Sequence, residues 1–160
     1  MKKTQLILGA LCFLVAIFLY QKYRIAPDVR FEKLQLEDIN GKSYTLDSFG
    51  DKHIFINIYA SWCGPCIKEM PSVSRAAKIM EDDYVFLVVS DEDWKLTQRF
   101  LKHKGFHLLQ MNKSREEIGV HTIPTSYVLN KDKEVIYNNV GEKEWDDPEN
   151  IALLKSLLNE

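Results

Sequence analysis

Two cysteines three positions apart, in Ser61-Trp62-Cys63-Gly64-Pro65-Cys66, are the residues whose types and spacing could do chemistry. A C-x-x-C pair can cycle between dithiol and disulfide, or it can supply half of a zinc site, which needs two more ligands. The apolar run from His53 to Ala60 reads as a buried strand leading into the motif, and Ile67-Lys68-Glu69-Met70 opens a helical pattern behind it. That context places Cys63 at a helix N-terminus, where free N–H groups and the macrodipole favour a thiolate. Cys66 follows one turn inward, within disulfide reach. Gly64 lets the chain turn tightly, and Pro65 suits a first helical turn, where its missing N–H is not needed. No second pair is available for zinc. The remaining cysteine is Cys12, and His53, His103, His107 and His121 do not fall at ligand spacing. Redox exchange fits the strand–motif–helix context best; a partial zinc site and two inert core cysteines stay open.

The elements that must position this pair follow in order. Phe31 to Leu36 alternates as a strand, Asn40-Gly41 marks a hairpin turn, and Ser43 to Leu46 returns. Pro71 interrupts the motif helix, so a kink is expected there, with the apolar pattern resuming at Val73, Ala76, Ala77 and Met80. Tyr84 to Ser90 is a continuous apolar run of the kind found in a strand buried on both faces and parallel to its neighbour. A helix from about Asp93 to His103, stopped by Gly105, leads to a short strand at Phe106 to Leu109. A short helix capped by Ser114 follows. Ser126 to Leu129 and Glu134 to Tyr137 form a second hairpin. Asp147-Pro148 then starts a final helix with Ile151, Leu154, Leu157 and Leu158 on one face. Alternating β and α elements ending in a hairpin and a helix give an α/β fold with a mixed central sheet flanked by helices.

The chain has 160 residues and a formal net charge of −2, unevenly spread. Residues 1–24 hold Lys2, Lys3, Lys22 and Arg24 and no acid. Subtracting those four from 21 basic residues leaves 17 against 23 acidic, net −6, for 25–160. A net-acidic domain argues against nucleic acid as a partner. Leu6 to Tyr20 is uncharged, and Thr4, Gln5, Gln21 and Tyr23 can extend it at the interfaces, so residues 1–24 read as a membrane anchor with about 5–23 in the bilayer. Ile17-Phe18-Leu19-Tyr20 is too bulky for a cleavage site, so the anchor is expected to stay attached. Leu11 before Cys12 does not fit a lipoprotein signal, and Cys12 reads as an apolar residue within the membrane. Residues 25–160 then form one extracytoplasmic domain. A single cysteine pair there is not a disulfide scaffold, so the pair is the activity.

A second stretch, Val120-His121-Thr122-Ile123-Pro124-Thr125-Ser126, sets a proline immediately before a strand. An X–Pro bond is the one place where a cis peptide is common, although most such loops are trans turns. With Trp62-Cys63-Gly64-Pro65-Cys66 beside it, the chain over about residues 30–145 resembles the thioredoxin superfamily, and within it the membrane-anchored TlpA/ResA-like thiol–disulfide oxidoreductases. Thr122-Ile123-Pro124-Thr125 matches that family's cis-proline loop and Pro71 its helix kink. Glu69, in W-C-x-x-C-x-x-E-x-P, matches the acidic position of the TlpA/ResA group. The N-terminal hairpin and the hydrophobic anchor are similar to that group too. Asn57 is a departure from cytoplasmic thioredoxin, which carries a buried aspartate there.

The resemblance implies a thioredoxin-like fold and a division of labour. Cys63 attacks a substrate disulfide and Cys66 resolves the mixed disulfide. Glu69 takes over the proton relay that Asn57 cannot perform, unless it is simply a solvated helix residue. Ile123 offers its backbone to an extended substrate strand and Pro124 shields the sulfurs. Trp62 forms an apolar platform beside the pair, or packs as an ordinary aromatic. The redox-active disulfide Cys63–Cys66 is the only cofactor expected, with no metal. The Gly-Pro dipeptide and the Ile–Pro pair resemble reducing members of the family. The substrates implied are extracytoplasmic protein disulfides, for example those of apocytochrome c, and the electron donor is an integral-membrane thiol carrier. The location implied is the bacterial inner membrane, crossed once, with the domain on the periplasmic side. An oxidase or isomerase of the same fold and a non-catalytic copper- or zinc-binding domain are the alternatives. His121 keeps the copper reading in view, although a copper chaperone would use C-x-x-x-C.

Overall fold

The computed structural model describes residues 2–24, 29, 31, 34–106 and 108–160. The chain begins with α1, Lys2–Arg24, whose described apolar side chains from Ile7 to Leu19 are exposed. Among the described residues no helix is long and apolar enough to cross a membrane. Residues 25–30 lie outside the described residues apart from Val29, which is buried against the domain.

The expected strand from Phe31 is shorter than its alternation suggested. Residues 32 and 33 lie outside the described ones, Phe31 is buried, and β1 is only Leu36–Glu37. It pairs antiparallel with β2, Ser43–Tyr44, across the expected turn, where Gly41 adopts φ +74°. Asp38 fixes that turn by accepting the amides of Asn40 and Lys42 at 2.8 and 3.0 Å. The return strand stops early because Leu46–Phe49 winds into a 3-10 turn that buries Leu46.

Next come β3, His53–Ile58, then α2, Gly64–Ile79, and β4, Tyr84–Ser90. They are followed by α3, Trp94–Lys104, β5, Leu109–Asn112, and α4, Arg115–Ile118. The chain closes with β6, Thr125–Leu129, β7, Val135–Val140, and α5, Pro148–Ser156. Among the described residues the strands form one mixed sheet in the order β2-β1-β5-β4-β3-β6-β7. β3, β4 and β5 run parallel, joined by the crossover helices α2 and α3, and β6 and β7 add antiparallel at the other side.

Two details differ from expectation. The strand predicted from Phe106 begins at Leu109, because the Phe106 amide is spent on the Leu101 carbonyl (2.9 Å) to close α3 after Gly105 in the left-handed region. Ser114 sits at the N-terminus of α4 but makes no side-chain capping bond. Pro71 lies inside α2, where the sequence placed it.

Both faces of the sheet are covered, which is why β3 and β4 are apolar at nearly every position. Ile54, Ile56 and Ile58 point to one core with Leu87, Val89, Tyr127 and the N-terminal Phe31. Phe55 and Tyr59 point to the other, with Met70, Val73 and Ala76 of α2 and Leu154 of α5. Each such side chain contributes roughly 1.5–3 kcal/mol on burial, so the central strand is a rigid base for whatever follows it.

Candidate active site

The rigid strand β3 ends at Ile58, and within five residues the chain has turned into α2. Cys63 is the N-cap of that helix, in extended conformation (φ −81°, ψ 108°), and its Sγ accepts the backbone N–H of Cys66 at 3.2 Å. Cys63 and Cys66 form a disulfide, with their Cα atoms 5.2 Å apart. A thiolate released on Cys63 would therefore face the free amides of the first helical turn, the position that stabilises it. Pro65 stands in that turn as expected. Gly64 does not play the part assigned to it. It is the first helical residue, its φ is not positive, and a Cβ there would meet nothing within 4 Å. The turn needs no glycine; a Cβ there would stand in open space.

Exposure across the motif is uneven. Cys63 is only 6% exposed and Cys66 1% exposed, whereas Trp62 is 65% exposed. Cys63 keeps the greater access of the two, but it is a recessed sulfur and not a partly exposed one. Trp62 is not a packing aromatic: its ring stands out beside the disulfide, with the Arg115 guanidinium 5.6 Å from its centre. Arg115 is in turn held by Asp91, its Nε donating to Oδ2 at 2.7 Å.

The Ile123–Pro124 peptide bond is cis, and Pro124 is buried. The loop brings the Ile123 carbonyl oxygen to 3.8 Å from Cys63 Sγ. It is anchored on both sides: the Gly141 amide donates to the Pro124 carbonyl at 2.8 Å, and Thr125 Oγ1 donates to the Thr122 carbonyl at 2.7 Å. His121, two residues before Ile123, is exposed. The disulfide, Trp62 beside it in the chain, and the Ile123–Pro124 loop thus meet at one end of the sheet.

Glu69 is not a solvated helix residue. It is 1% exposed, and both its oxygens are engaged. Asn57 Nδ2 donates to Oε2 at 2.9 Å and the Trp145 indole Nε1–H donates to Oε1 at 2.7 Å. Asn57 Nδ2 also reaches Ser126 Oγ at 2.9 Å, so the group is tied to β3, to β6 and to the loop before α5. Burial pushes the Glu69 carboxyl up to about 7, against the Trp145 and Asn57 hydrogen bonds, which favour the ionised form. A carboxyl of that kind, one turn along the helix from Cys66, can take up or give a proton near neutral pH.

Four contributors were absent from the sequence reading. Trp145 and Ser126 complete the Glu69 network, Arg115 backs Trp62, and Glu92 anchors the motif's entry. The Glu92 carboxylate accepts the Ser61 backbone N–H at 2.5 Å and the Ser61 hydroxyl at 2.7 Å. The one sequence signal for these residues was the position of Glu92 just past the end of a buried parallel strand, where ligand- and site-facing residues gather.

A mixed sheet with a disulfide capping the helix after its central strand, faced by a cis-proline loop, defines a thioredoxin-like thiol–disulfide oxidoreductase. The chain belongs to the Redoxin family, whose model matches residues 23–154. Among its relatives, the thiol–disulfide oxidoreductase ResA of Bacillus thuringiensis subsp. konkukian is 31% identical over 163 residues, covering 89% of this chain and 92% of the relative. The ResA of Bacillus cereus is 28% identical with the same coverage of both chains. Among solved structures, StoA from Bacillus subtilis superposes with a TM-score of 0.61 at 20% identity, over 79% of this chain and 96% of that one. That likeness is one of fold.

Proposed function

We propose that the chain is a membrane-tethered reductant of extracytoplasmic protein disulfides. The observation that carries the reading is the placing of Cys63 Sγ at the helix cap and 3.8 Å from the Ile123 carbonyl, where an extended substrate segment would meet it. In the reduced enzyme, the Cys63 thiolate attacks one sulfur of a substrate disulfide. The substrate's other sulfur leaves as a thiolate and takes a proton from solvent. Cys66 then gives its proton to Glu69 and attacks Cys63 Sγ. The Cys63–Cys66 bond forms, the bond to the substrate breaks, and the substrate's second sulfur leaves reduced. Two electrons have moved to the substrate, and no cofactor beyond the pair is needed. Ile123 supplies backbone to the bound segment, Pro124 keeps other groups off the sulfurs, and Trp62 packs against the substrate beside the cut.

The reductive direction rests on the Gly64-Pro65 dipeptide and the Ile123-Pro124 pair, which resemble reducing members of the superfamily. Heme-binding cysteines of apocytochrome c are the substrates that the resemblance points to, with an integral-membrane thiol carrier restoring the dithiol. We further read α1 as the single-pass anchor in a bacterial inner membrane, with the domain on the periplasmic side. Supporting this, Leu6 to Tyr20 carries no charge, and Leu8, Phe13 and Phe18 of α1 are exposed.

The test is the reduction potential of the pair in the full-length chain in detergent, equilibrated against a thiol redox buffer. A value near or below roughly −250 mV supports the reductant. A value above about −180 mV overturns it in favour of an oxidase or isomerase.

A further inference from the structure

Glu69 has two oxygens, and the groups that hold them differ in a way that decides where a proton can go. Oε1 accepts from the Trp145 indole, which can only donate; Oε2 accepts from the Asn57 amide, which can do either. Trp145 is fully buried and fixed from all sides. Its backbone N–H donates to Ser72 Oγ of α2 at 3.1 Å. Its ring stands edge-on to Phe55 of β3 (centroids 4.7 Å apart) and to Tyr137 of β7 (6.3 Å), with Lys143 Nζ 5.5 Å from the ring centre. The donor therefore cannot turn away, and Oε1 must remain an acceptor whether Glu69 is ionised or neutral. Asn57, by contrast, has a buried Oδ1 without a partner among the described residues, and its other neighbour, Ser126 Oγ, can donate as well as accept. Rotation of the amide would present Oδ1 to a protonated Oε2 and to the Ser126 hydroxyl, with both bonds kept.

We infer that Trp145 is a positioning residue of the redox reaction: its indole N–H reserves Oε1 of Glu69, so that the proton from Cys66 is received on Oε2, on the side of the reversible Asn57 amide. The inference rests on the proposed role of Glu69 as proton acceptor. It also explains why a buried amide oxygen is left without a donor in the oxidised form: that oxygen is the partner of the neutral carboxyl. The charged groups around this site are few. Glu142 acts on Glu69 to disfavour its ionised form, while Lys68 pairs with Glu142 at 3.9 Å and Arg75 with Asp146 at 2.5 Å outside the buried cluster. The cysteine sulfurs lie on the same helix as Glu69, and Lys143 lies over the Trp145 ring.

The experiment compares the pH profile for release of a substrate thiol from the mixed disulfide in the full-length chain, Trp145→Phe and Glu69→Gln. Glu69→Gln is expected to lose the limb set by Glu69. Trp145→Phe should keep it, displaced upward by about one pH unit, because the ionised carboxylate has lost a charge-assisted donor. A Trp145→Phe limb at the wild-type position, with Glu69→Gln lacking it, overturns the inference and leaves the role of Glu69 standing. A Glu69→Gln profile identical to wild type overturns both. Should Trp145→Phe not fold, the wild-type indole Nε1–H resonance of Trp145, assigned with Trp62→Phe and Trp94→Phe, provides the readout. It should shift with the Glu69 titration and stop shifting in Glu69→Gln; a resonance indifferent to pH overturns the inference.

Discussion

Asn57 and Glu69 are joined by a 2.9 Å hydrogen bond that ties the strand entering the C-x-x-C motif to the helix leaving it. The pairing inverts the arrangement that the family resemblance suggested for cytoplasmic thioredoxin. The acid has moved from the strand to the helix, and an amide now stands in the strand to hold it. Because a carboxylate only accepts, the side of Asn57 facing Glu69 in the ionised state is its Nδ2, which settles the orientation of the amide.

Glu69 makes stability depend on pH with a definite sign. Its folded-state value of about 7 lies above the ordinary 4.5, so the folded chain binds more protons between those values. Stability therefore falls as pH rises from about 4.5 to 7 and levels off above, by about 3 kcal/mol in total. Urea unfolding of the oxidised chain at pH 4.5 and pH 8 checks this. Glu69→Gln should unfold with nearly the same midpoint at both.

The order of the two sulfurs is tested by trapping. Cys66→Ser leaves Cys63 free to attack and removes the resolving thiol, so a covalent Cys63–substrate species should accumulate. Cys63→Ser should form none. Mass spectrometry of the non-reduced product, after incubation with a disulfide-containing peptide, distinguishes the two; adduct on Cys63→Ser would reverse the assignment.

Trp62 is exposed beside a buried disulfide, so its loss should affect recognition more than folding. Trp62→Ala is expected to lower kcat/KM toward a protein disulfide about tenfold, the effect of losing about 1.4 kcal/mol of contact, with an unchanged melting temperature. Activity toward a small disulfide should change little. Equal losses for both substrates would remove Trp62 from the docking surface.

Glu92→Ala deprives the Ser61 amide and hydroxyl of their acceptor. A cost of about 1–3 kcal/mol is expected, a fall of some 2–12 °C in Tm for a chain of this size, measured calorimetrically. The same variant should react faster with small thiols, because the segment leading to Cys63 is no longer held.

What could be read from the chain follows from how far apart the interacting residues are. Cys63, Cys66 and Glu69 act within two helical turns, and their spacing announced the site. Pro124 was legible only in company with Trp62-Cys63-Gly64-Pro65-Cys66, because an X–Pro loop by itself is most often a trans turn. Trp145 was not: it lies 76 residues beyond Glu69 in a charged stretch that carries no period, and nothing local distinguishes a buried loop tryptophan from an exposed one. Glu92 reaches Ser61 across 31 residues only because β3 and β4 are parallel neighbours, a fact of sheet order and not of composition. The fold was legible wherever both faces of a strand are buried. It failed at Phe31 to Leu36, where alternation suggested six residues of ladder and, among the described residues of that stretch, only Leu36 joins one.

The near-complete covering of both sulfurs gives the pair the properties of an insulated contact. Small thiols and oxidants diffusing past the domain meet the faces of Trp62 and Pro65 far more often than sulfur. Exchange requires another sulfur to be brought onto the nearly covered Cys63. On the proposed reading, such a contact equilibrates slowly with small thiols and faster with a partner whose chain lies along the loop of Ile123.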